Sequence, residues 1–522
     1  MSLFQALLIG LIYYLANTSF LCGLAYFTTW RPVVNGFLVG LVLGEPARGA
    51  LVGALINVLY LGYMSVGGTL GIGDAALAGI TGATAGIVLP VPPAVATGLG
   101  VMVGVLLGNL GFPLLSLRLK LDGRIVQRMD AAAERGDARA VTWLNIAPAQ
   151  ALLFAITVPS AMALALTISA LGPLAGLLPE PLTRGLSVAG MGLSGALGIA
   201  LAMRFVFQGW GIALFAAGFA IVAVLDSLPV IALIGAVGLL VVSAGSIMAI
   251  FAVTAQLRRQ RITASAAPLT PFWLWQCFSH SAYSFERLQG SGFACALAPL
   301  IDRVYATIEE RKDALKRQLA FFNTEVNLGA MLVSIAAHME AERAAANEIE
   351  KTKSSLMGAL AGFGDPLIQG ALLPCVLSTA LVVLFSAFTA NPREPALVGL
   401  ALYVASVSAL VFAIGWLSYQ AGDALGREAV MRLLSSNTIR RSADAARAIT
   451  AFMLGALAAT PAVVSVPVEL PPGALVDLMR VGLPLALTLA LFGLTARANV
   501  KPSYVLLGLA VVGTLLAWAG II

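Results

Sequence analysis

The chain has 522 residues, of which 31 are Lys or Arg and 25 are Asp or Glu, so 11% are charged while 59% are hydrophobic. An ordinary soluble domain carries charge on about a quarter of its residues, which excludes a soluble enzyme and makes lipid the solvent for most of this chain. The net charge of +6 comes from short basic blocks between apolar spans, the pattern that sets membrane topology, so nucleic acid is not the expected partner.

No charge precedes Arg31, so the first segment lacks the basic start of a cleaved signal peptide and is expected to remain. Apolar spans or paired half-spans are predicted near 3–29, 33–62, 76–117, 143–171, 185–203, 207–225 and 229–256. A second series is predicted near 372–390, 396–418, 449–467, 478–494 and 503–522. Basic blocks fall at Arg118 to Arg139, at Arg258, Arg259 and Arg261, at Arg427 to Arg447, and at Arg497 with Lys501. The number of spans between successive blocks is even, which lets every block face the cytoplasm. The expected fold class is an all-α polytopic membrane protein.

Its two membrane domains, 1–257 and 272–522, are expected to flank a polar linker over 258–271. Residues 281–360 hold 19 of the 56 charges, and nothing there is apolar for long enough to span. The second domain therefore reads as a polar helical head over 272–356 followed by spans over 372–522. In the head, Ile301, Val304, Tyr305, Ile308, Leu315, Leu319 and Phe322 recur at three- and four-residue steps, which predicts one amphipathic helix. Ion pairs from Glu309 to Lys312 and from Asp313 to Arg317 fit the same helix.

Gly36, Gly40 and Gly44 form a small-residue stripe suited to close helix packing. The run Ser65-Val-Gly-Gly-Thr-Leu-Gly-Ile-Gly-Asp74 is a glycine-dense break between apolar stretches, and Met357-Gly-Ala-Leu-Ala-Gly-Phe-Gly-Asp365-Pro366 is its counterpart in the second half. Irregular backbone at membrane depth survives only against protein or a wet cavity, and a Gly-rich break in each half points to a binding site between pseudo-symmetric repeats. Asp74 suits a ligand hydroxyl. Asp365 is either a site residue or a cap for the next helix.

Asn57, Arg204, Asp226, Glu325 and Asn327 are further polar residues near apolar stretches, with Arg204 and Asp226 favoured as loop or interface positions. Cys22, Cys277, Cys295 and Cys375 stand singly among apolar residues, and His280 and His338 are the only histidines, so neither a metal nor a cofactor is expected. Both histidines read as structural. With no P-loop, no GxSxG and no dinucleotide fingerprint, a channel or transporter fits better than a catalyst.

The first half resembles the IIC component, and the second half the IID component, of the mannose/fructose/sorbose class of the bacterial sugar phosphotransferase system. The IIC likeness runs through Arg31-Pro32, Leu38-Val-Gly40, Gly44, Gly49, Gly53, the break into Asp74-Ala-Ala-Leu77 and a charged loop leading to Trp143. The IID likeness runs through Ser284-Phe-Glu-Arg287, Gly292-Phe293, Phe321-Phe-Asn-Thr324, Met339-Glu340, Leu360-Ala-Gly-Phe-Gly-Asp-Pro366, Gly455-Ala-Leu457 and the entry from Asn499 to Pro502.

The resemblance implies a sugar permease of the bacterial inner membrane that hands a hexose or hexose derivative to cytoplasmic IIA and IIB partners. It also implies a lipid-embedded homotrimer of IIC and IID pairs, an elevator-like motion, and no phosphohistidine on this chain. Matching positions make Asp74, Asn323, Thr324, Glu340 and Asp365 the candidate sugar ligands, with Ser65 and Asn57 as weaker ones. Departures at Ala25, Asn57, Ser284, Val326, Asn327 and Leu373 imply a site unlike a standard mannose site. An uncoupled transporter and a non-transporting sensor are the alternative functions.

Overall fold

The computed structural model describes residues 1–19, 23–62, 73–207, 209–225, 268–390, 397–465, 474–498 and 500–522, with isolated positions between 230 and 255. The first half contributes α1 (Leu3–Asn17), α2 (Leu24–Thr29), α3 (Pro32–Leu43), α4 (Pro46–Leu59), α5 (Ala75–Val88) and α6 (Pro93–Gly108). It continues with α7 (Gly111–Glu134), α8 (Ala138–Leu171), α9 (Glu180–Val188), α10 (Ser194–Val206) and α11 (Gly211–Leu225). The second half contributes α12 (Thr270–Phe278), α13 (Gly290–Val304), α14 (Ile308–Leu319), α15 (Val326–Ala341), α16 (Ala346–Leu367) and α17 (Leu373–Ala390). Last come α18 (Leu397–Leu425), α19 (Arg427–Ser435), α20 (Asn437–Ala458), α21 (Ala474–Ala496) and α22 (Pro502–Trp518). Among the described residues, strand-like pairing is confined to two isolated bridges, from Leu288 to Ser284 and to Phe322.

Five helical stretches among the described residues are long and apolar enough to cross a bilayer: Pro93–Glu134, Ala138–Leu177, Glu180–Val206, Ala346–Phe388 and Leu397–Leu425. Of the helices in the two hairpins α3–α4 and α5–α6, α3, α4 and α5 are short, whereas α6 runs on with α7 in the stretch Pro93–Glu134. At about 1.5 Å per residue, a 12- to 14-residue helix reaches only about 18–21 Å, less than the hydrocarbon thickness of about 30 Å. Spans or paired half-spans were the expectation near 33–62 and 76–117; a helical hairpin occupies the first, and α5 followed by the long stretch from Pro93 occupies the second.

Glycines set how closely the hairpin arms approach. A Cβ on Gly36 would lie 3.0 Å from the Gly53 Cα, and one on Gly49 would lie 2.8 Å from the Gly40 Cα. In the second hairpin Gly104 faces Gly82 and Gly100 faces Gly86, each with 2.8 Å from the built Cβ to the opposing Cα. Each pairing runs high number against low, as antiparallel arms require. Backbones this close gain dispersion contact that lipid tails would otherwise supply, the usual reason for small residues between membrane helices.

Several local expectations are corrected. The glycine-rich run 357–366 is not a break: α16 continues through it, passes a π turn at Ile368–Leu372 and enters α17. A matching π turn at Ala189–Leu193 joins α9 to α10. The basic segment after Arg118 is helix, since α7 runs on to Glu134 and only a three-residue turn precedes α8. The single amphipathic helix of the head is two helices, because Thr307 restarts the chain with a capping box whose partner is Glu310. Glu309 does pair with Lys312 at 3.7 Å, but Arg317 turns away from Asp313 to Glu340. The expected span at 229–256, Asp226 and most of the linker lie outside the described residues.

The head is held by an aromatic core of Trp275, Phe293 and Phe322, whose ring centroids lie 4.3–5.9 Å apart. The Trp275 indole N–H donates to the Val326 carbonyl at 2.7 Å, so ring packing also fixes the entry to α15. Lys353 of α16 donates to the carbonyls of Arg317, Gln318 and Ala320 and lies 4.8 Å from the Phe293 ring centre. That lysine closes the C-terminal end of α14, where unsatisfied carbonyls favour a cation.

Replacing Gly49 with Leu should cost about 1–3 kcal/mol by overpacking the α3–α4 seam, while Gly123→Ala, at a helical position with open space around it, should raise stability by about 0.5–1 kcal/mol. Thermal unfolding of the detergent-solubilised variants reads both signs.

Candidate functional site

A cavity of about 200 Å³ opens between the two halves and takes its lining from both. One wall comes from α1, α2, α7 and α8, and the other from the α12–α13 loop, residues 323–326 and the end of α16. Several helices thus bring their ends or polar faces to one space, while the cavity floor takes residues from two non-helical stretches, 279–289 and 320–325.

Asp74 is the N-cap of α5. Its Oδ1 accepts from the Leu77 N–H at 3.1 Å, and its Oδ2 accepts from the Tyr13 hydroxyl at 2.7 Å. The carboxylate is therefore both a helix cap and a wall of the cavity, two roles that compete only if a ligand displaces Tyr13. Asp365 also lines the cavity, 8% exposed, from the last α-helical turn before the π turn. Single π turns recur at functional sites because the extra residue rotates neighbouring side chains off the regular helix face. The two Gly-Asp acids, far apart in sequence, meet here.

Asn323 and Thr324 line the same cavity. The Thr324 hydroxyl is buried and makes no hydrogen bond within the protein, an unmet polar group of the kind that water or a ligand completes. Asn57 and Glu340 do not line it. Asn57 is buried in α4 and accepts from the Val33 N–H at 3.3 Å, which satisfies a free donor in the first turn of α3. Ser65 lies outside the described residues.

The Glu340 carboxylate, wholly buried, accepts from the Arg317 Nε at 2.7 Å and Nη2 at 2.6 Å, from Gln318 Nε2 at 2.6 Å and from the Tyr305 hydroxyl at 2.7 Å. Four donors on two oxygens leave it no capacity for a sugar. The physical account of this position is a bidentate buried ion pair that closes the head.

Residues that the sequence reading passed over are as prominent. Arg118 lies in the basic block yet is 9% exposed, pairs with Asp122 at 3.3 Å, and donates to the carbonyls of His280 at 2.6 Å and Ser281 at 3.0 Å. Asn145 donates to the Phe278 carbonyl at 3.0 Å and accepts from the Ala282 N–H at 3.3 Å, and Gln150 donates to the Ser281 hydroxyl at 2.8 Å. First-half side chains thus hold the second-half loop. Arg118 has no local signature that distinguishes it from the snorkelling lysines and arginines around it, so only its contacts reveal it.

Aromatic rings from both halves meet on the same wall. His280 stacks with Tyr283 at 5.4 Å between centroids and lies nearly parallel to Tyr26 at 6.3 Å, and Tyr26 stacks with Trp30 at 6.1 Å. Apolar ring faces beside carboxylates and amides are suited to a polyhydroxylated ring, which presents C–H faces and hydroxyl edges together. The loop bearing His280 lies outside the membrane-spanning helices, and burial, with the Arg118 cation second, pushes its imidazole down to about 4. It is neutral at physiological pH.

Glu340→Gln should leave Arg317 as an uncompensated buried charge and cost about 3–5 kcal/mol of stability, with unchanged sugar affinity in the fraction that folds. Thermal unfolding and ligand binding measured on the same preparation separate the two effects.

Residues 3–244 match the family described as the PTS system sorbose-specific IIC component, and residues 264–522 match the PTS system mannose/fructose/sorbose family IID component. The chain is 28% identical to the fructose permease IID component of Bacillus subtilis (strain 168) over 262 residues, covering 47% of this chain and 92% of that protein. It is 30% identical to the sorbose-specific EIID component of Klebsiella pneumoniae over 213 residues, covering 40% and 74%. The mannose-specific EIIC component of Escherichia coli (strain K12) is 26% identical over 190 residues, covering 36% and 69%. The chain belongs to the mannose/fructose/sorbose family of the sugar phosphotransferase system and carries an IIC and an IID component in one polypeptide.

Proposed function

We propose that this chain is the inner-membrane sugar permease of a phosphotransferase system, binding a hexose or hexose derivative in the cavity between its halves for phosphorylation by cytoplasmic IIA and IIB partners. The observation that carries this reading is the convergence of Asp74 from the IIC half with Asn323, Thr324 and Asp365 from the IID half on one cavity. Carboxylates and amides accept and donate to vicinal hydroxyls, and the Trp30, Tyr26 and His280 rings offer a face to the pyranose or furanose C–H bonds. In this reading the phosphoryl group comes from the partner, as the family resemblance implies, and both imidazoles keep structural roles.

The finer architecture belongs to the same reading. A homotrimer of fused pairs would place the glycine-seamed hairpins in a body that moves with the sugar while other helices stay fixed in the lipid, an elevator-like motion. Supporting it are the short, glycine-seamed α3–α4 hairpin and the family's general implication. Mass measurement in lipid nanodiscs should give three copies of the 53.9 kDa chain.

The direct test supplies membranes containing this chain with phosphoenolpyruvate, the general phosphotransfer proteins and the IIA and IIB of the same organism, and follows a panel of labelled hexoses. Product with one sugar, absent without the chain, is the expected outcome. No product across the panel, with folded chain and phosphorylated IIB in hand, would favour an uncoupled transporter or a sensor. Asp365→Asn should abolish uptake while the protein still inserts and assembles, and undiminished transport would remove Asp365 from the site. Asp74→Asn should weaken sugar binding by roughly tenfold or more, as expected for losing a charged hydrogen-bond acceptor; an unchanged binding curve would reduce Asp74 to a helix cap.

A further inference from the structure

Gln289 is neither a family motif residue singled out above nor an obvious ligand, yet it is tied to more of the cavity floor than any other side chain in the α12–α13 loop. It is 3% exposed and follows Leu288, which adopts a left-handed backbone conformation with φ of 47°. A branched side chain at positive φ is strained, and such strain persists only where surrounding bonds over-determine it. Here they do: the Gln289 N–H donates to the Phe322 carbonyl at 2.9 Å, and the Phe322 N–H donates back to the Arg287 carbonyl at 3.3 Å.

The side-chain amide then reads the next residue but one. The Thr324 N–H donates to Gln289 Oε1 at 3.0 Å, and Gln289 Nε2 donates to the Thr324 carbonyl at 3.0 Å. This two-way pairing fixes which end of the amide is oxygen, since the peptide of Thr324 offers one donor and one acceptor. The second hydrogen of Nε2 is left to point at His280 Nε2, 3.2 Å away. A ring nitrogen that accepts carries no proton, so the imidazole must hold its proton on Nδ1, where it donates to the Ser279 hydroxyl at 3.1 Å.

We propose that Gln289 is a positioning residue for the sugar site: its amide clamps the Asn323–Thr324 segment and fixes His280 as a neutral, Nδ1-protonated ring facing the cavity. The inference rests on the cavity's being the sugar site, and it deepens that reading by naming what shapes the floor. The titratable and charged groups around His280 are Tyr26 from α2, Arg118 from α7, Tyr283 from its own loop, and Asp74, Glu325 and Asp365 along the cavity. With Arg118 bound to the His280 carbonyl and Gln289 donating to its ring, the nearest contacts favour the uncharged form.

Two measurements test this on the full-length protein. The chain has two histidines, so in ¹⁵N-histidine-labelled protein the signal lost in His280→Gln is assigned to His280. The expected spectrum has an unprotonated Nε2 and a protonated Nδ1 from pH 8 to 5.5; a cation or the Nε2–H tautomer at pH 7 overturns the proposal, and this arm needs no variant of Gln289 to fold. The second arm is Gln289→Glu, whose carboxylate cannot donate to His280 Nε2 or to the Thr324 carbonyl. With D-mannose, D-fructose and L-sorbose as probes, the KM of whichever sugar wild type phosphorylates should rise about tenfold or more, with kcat less affected and a new pH dependence between 6 and 8 as His280 takes a second proton. A KM and pH profile equal to wild type overturns the proposal. Failure of wild type either to phosphorylate or to bind any of the three probes sinks the sugar-site reading instead and leaves the histidine spectrum to decide the role of Gln289.

Discussion

Every part of the candidate site depends on one constraint: backbone polar groups that leave the helical ladder inside a membrane protein must find partners within the protein. The cavity floor is such irregular backbone, and its partners come from side chains of other elements. Arg118 takes the carbonyls of His280 and Ser281, Asn145 takes that of Phe278, and Ser19 donates to that of Cys277 at 2.7 Å. Lys353 and Arg287 take the carbonyls that end α14. Remove these and the loops would have to become helix or lose their place in the protein, and a continuous helix has no free edge to present to a ligand.

The same constraint explains why polar residues are concentrated where they are. The hairpins α3–α4 and α5–α6 satisfy their own backbones and pack through glycines, so they need few side-chain donors. Some of their polar residues act across elements: Asn57 serves the start of α3, Asp74 the start of α5, and Asn35 bonds the carbonyls of Thr29 and Ala76, while Thr81 and Thr84 bond carbonyls of their own helix. A side chain that caps a helix beside a cavity both satisfies the fold and faces the cavity, and Asp74 does both.

How much of this was legible in sequence differs by residue for physical reasons. Hydropathy and charge made the all-helical membrane class readable, since it follows from local composition. The Gly-Asp strings pointed to Asp74 and Asp365, which both line the cavity, although glycine density suggested a break in α16 where the chain stays helical and only a π turn follows. Glu340 was unreadable because its partner Arg317 lies 23 residues away on another helix, and a lone acid in a motif looks alike whether it meets a sugar or an arginine. In sequence Arg118 reads only as the start of a basic block, His280 reads only as a structural histidine, and Gln289 is passed over, because their contacts go to backbone atoms or across the two halves, and no periodicity or spacing encodes a contact of that kind.

Those cross-half bonds also bear on why the two components occupy one chain. Each half leaves polar groups that the other completes: Tyr403 of α18 donates to the Phe27 carbonyl at 2.9 Å, Arg287 meets Asp130 at 3.3 Å, and Lys312 meets Glu134 at 3.2 Å. The exposed ion pairs contribute little individually, whereas a buried carbonyl left without its donor costs about 1–3 kcal/mol. Folding either half alone would expose several such groups together with its share of the cavity wall. Covalent joining makes their meeting intramolecular, raising the effective concentration of each half for the other and fixing a one-to-one ratio. The relatives described above each match one half, so this chain reaches by fusion the pairing that a cavity built from both halves requires.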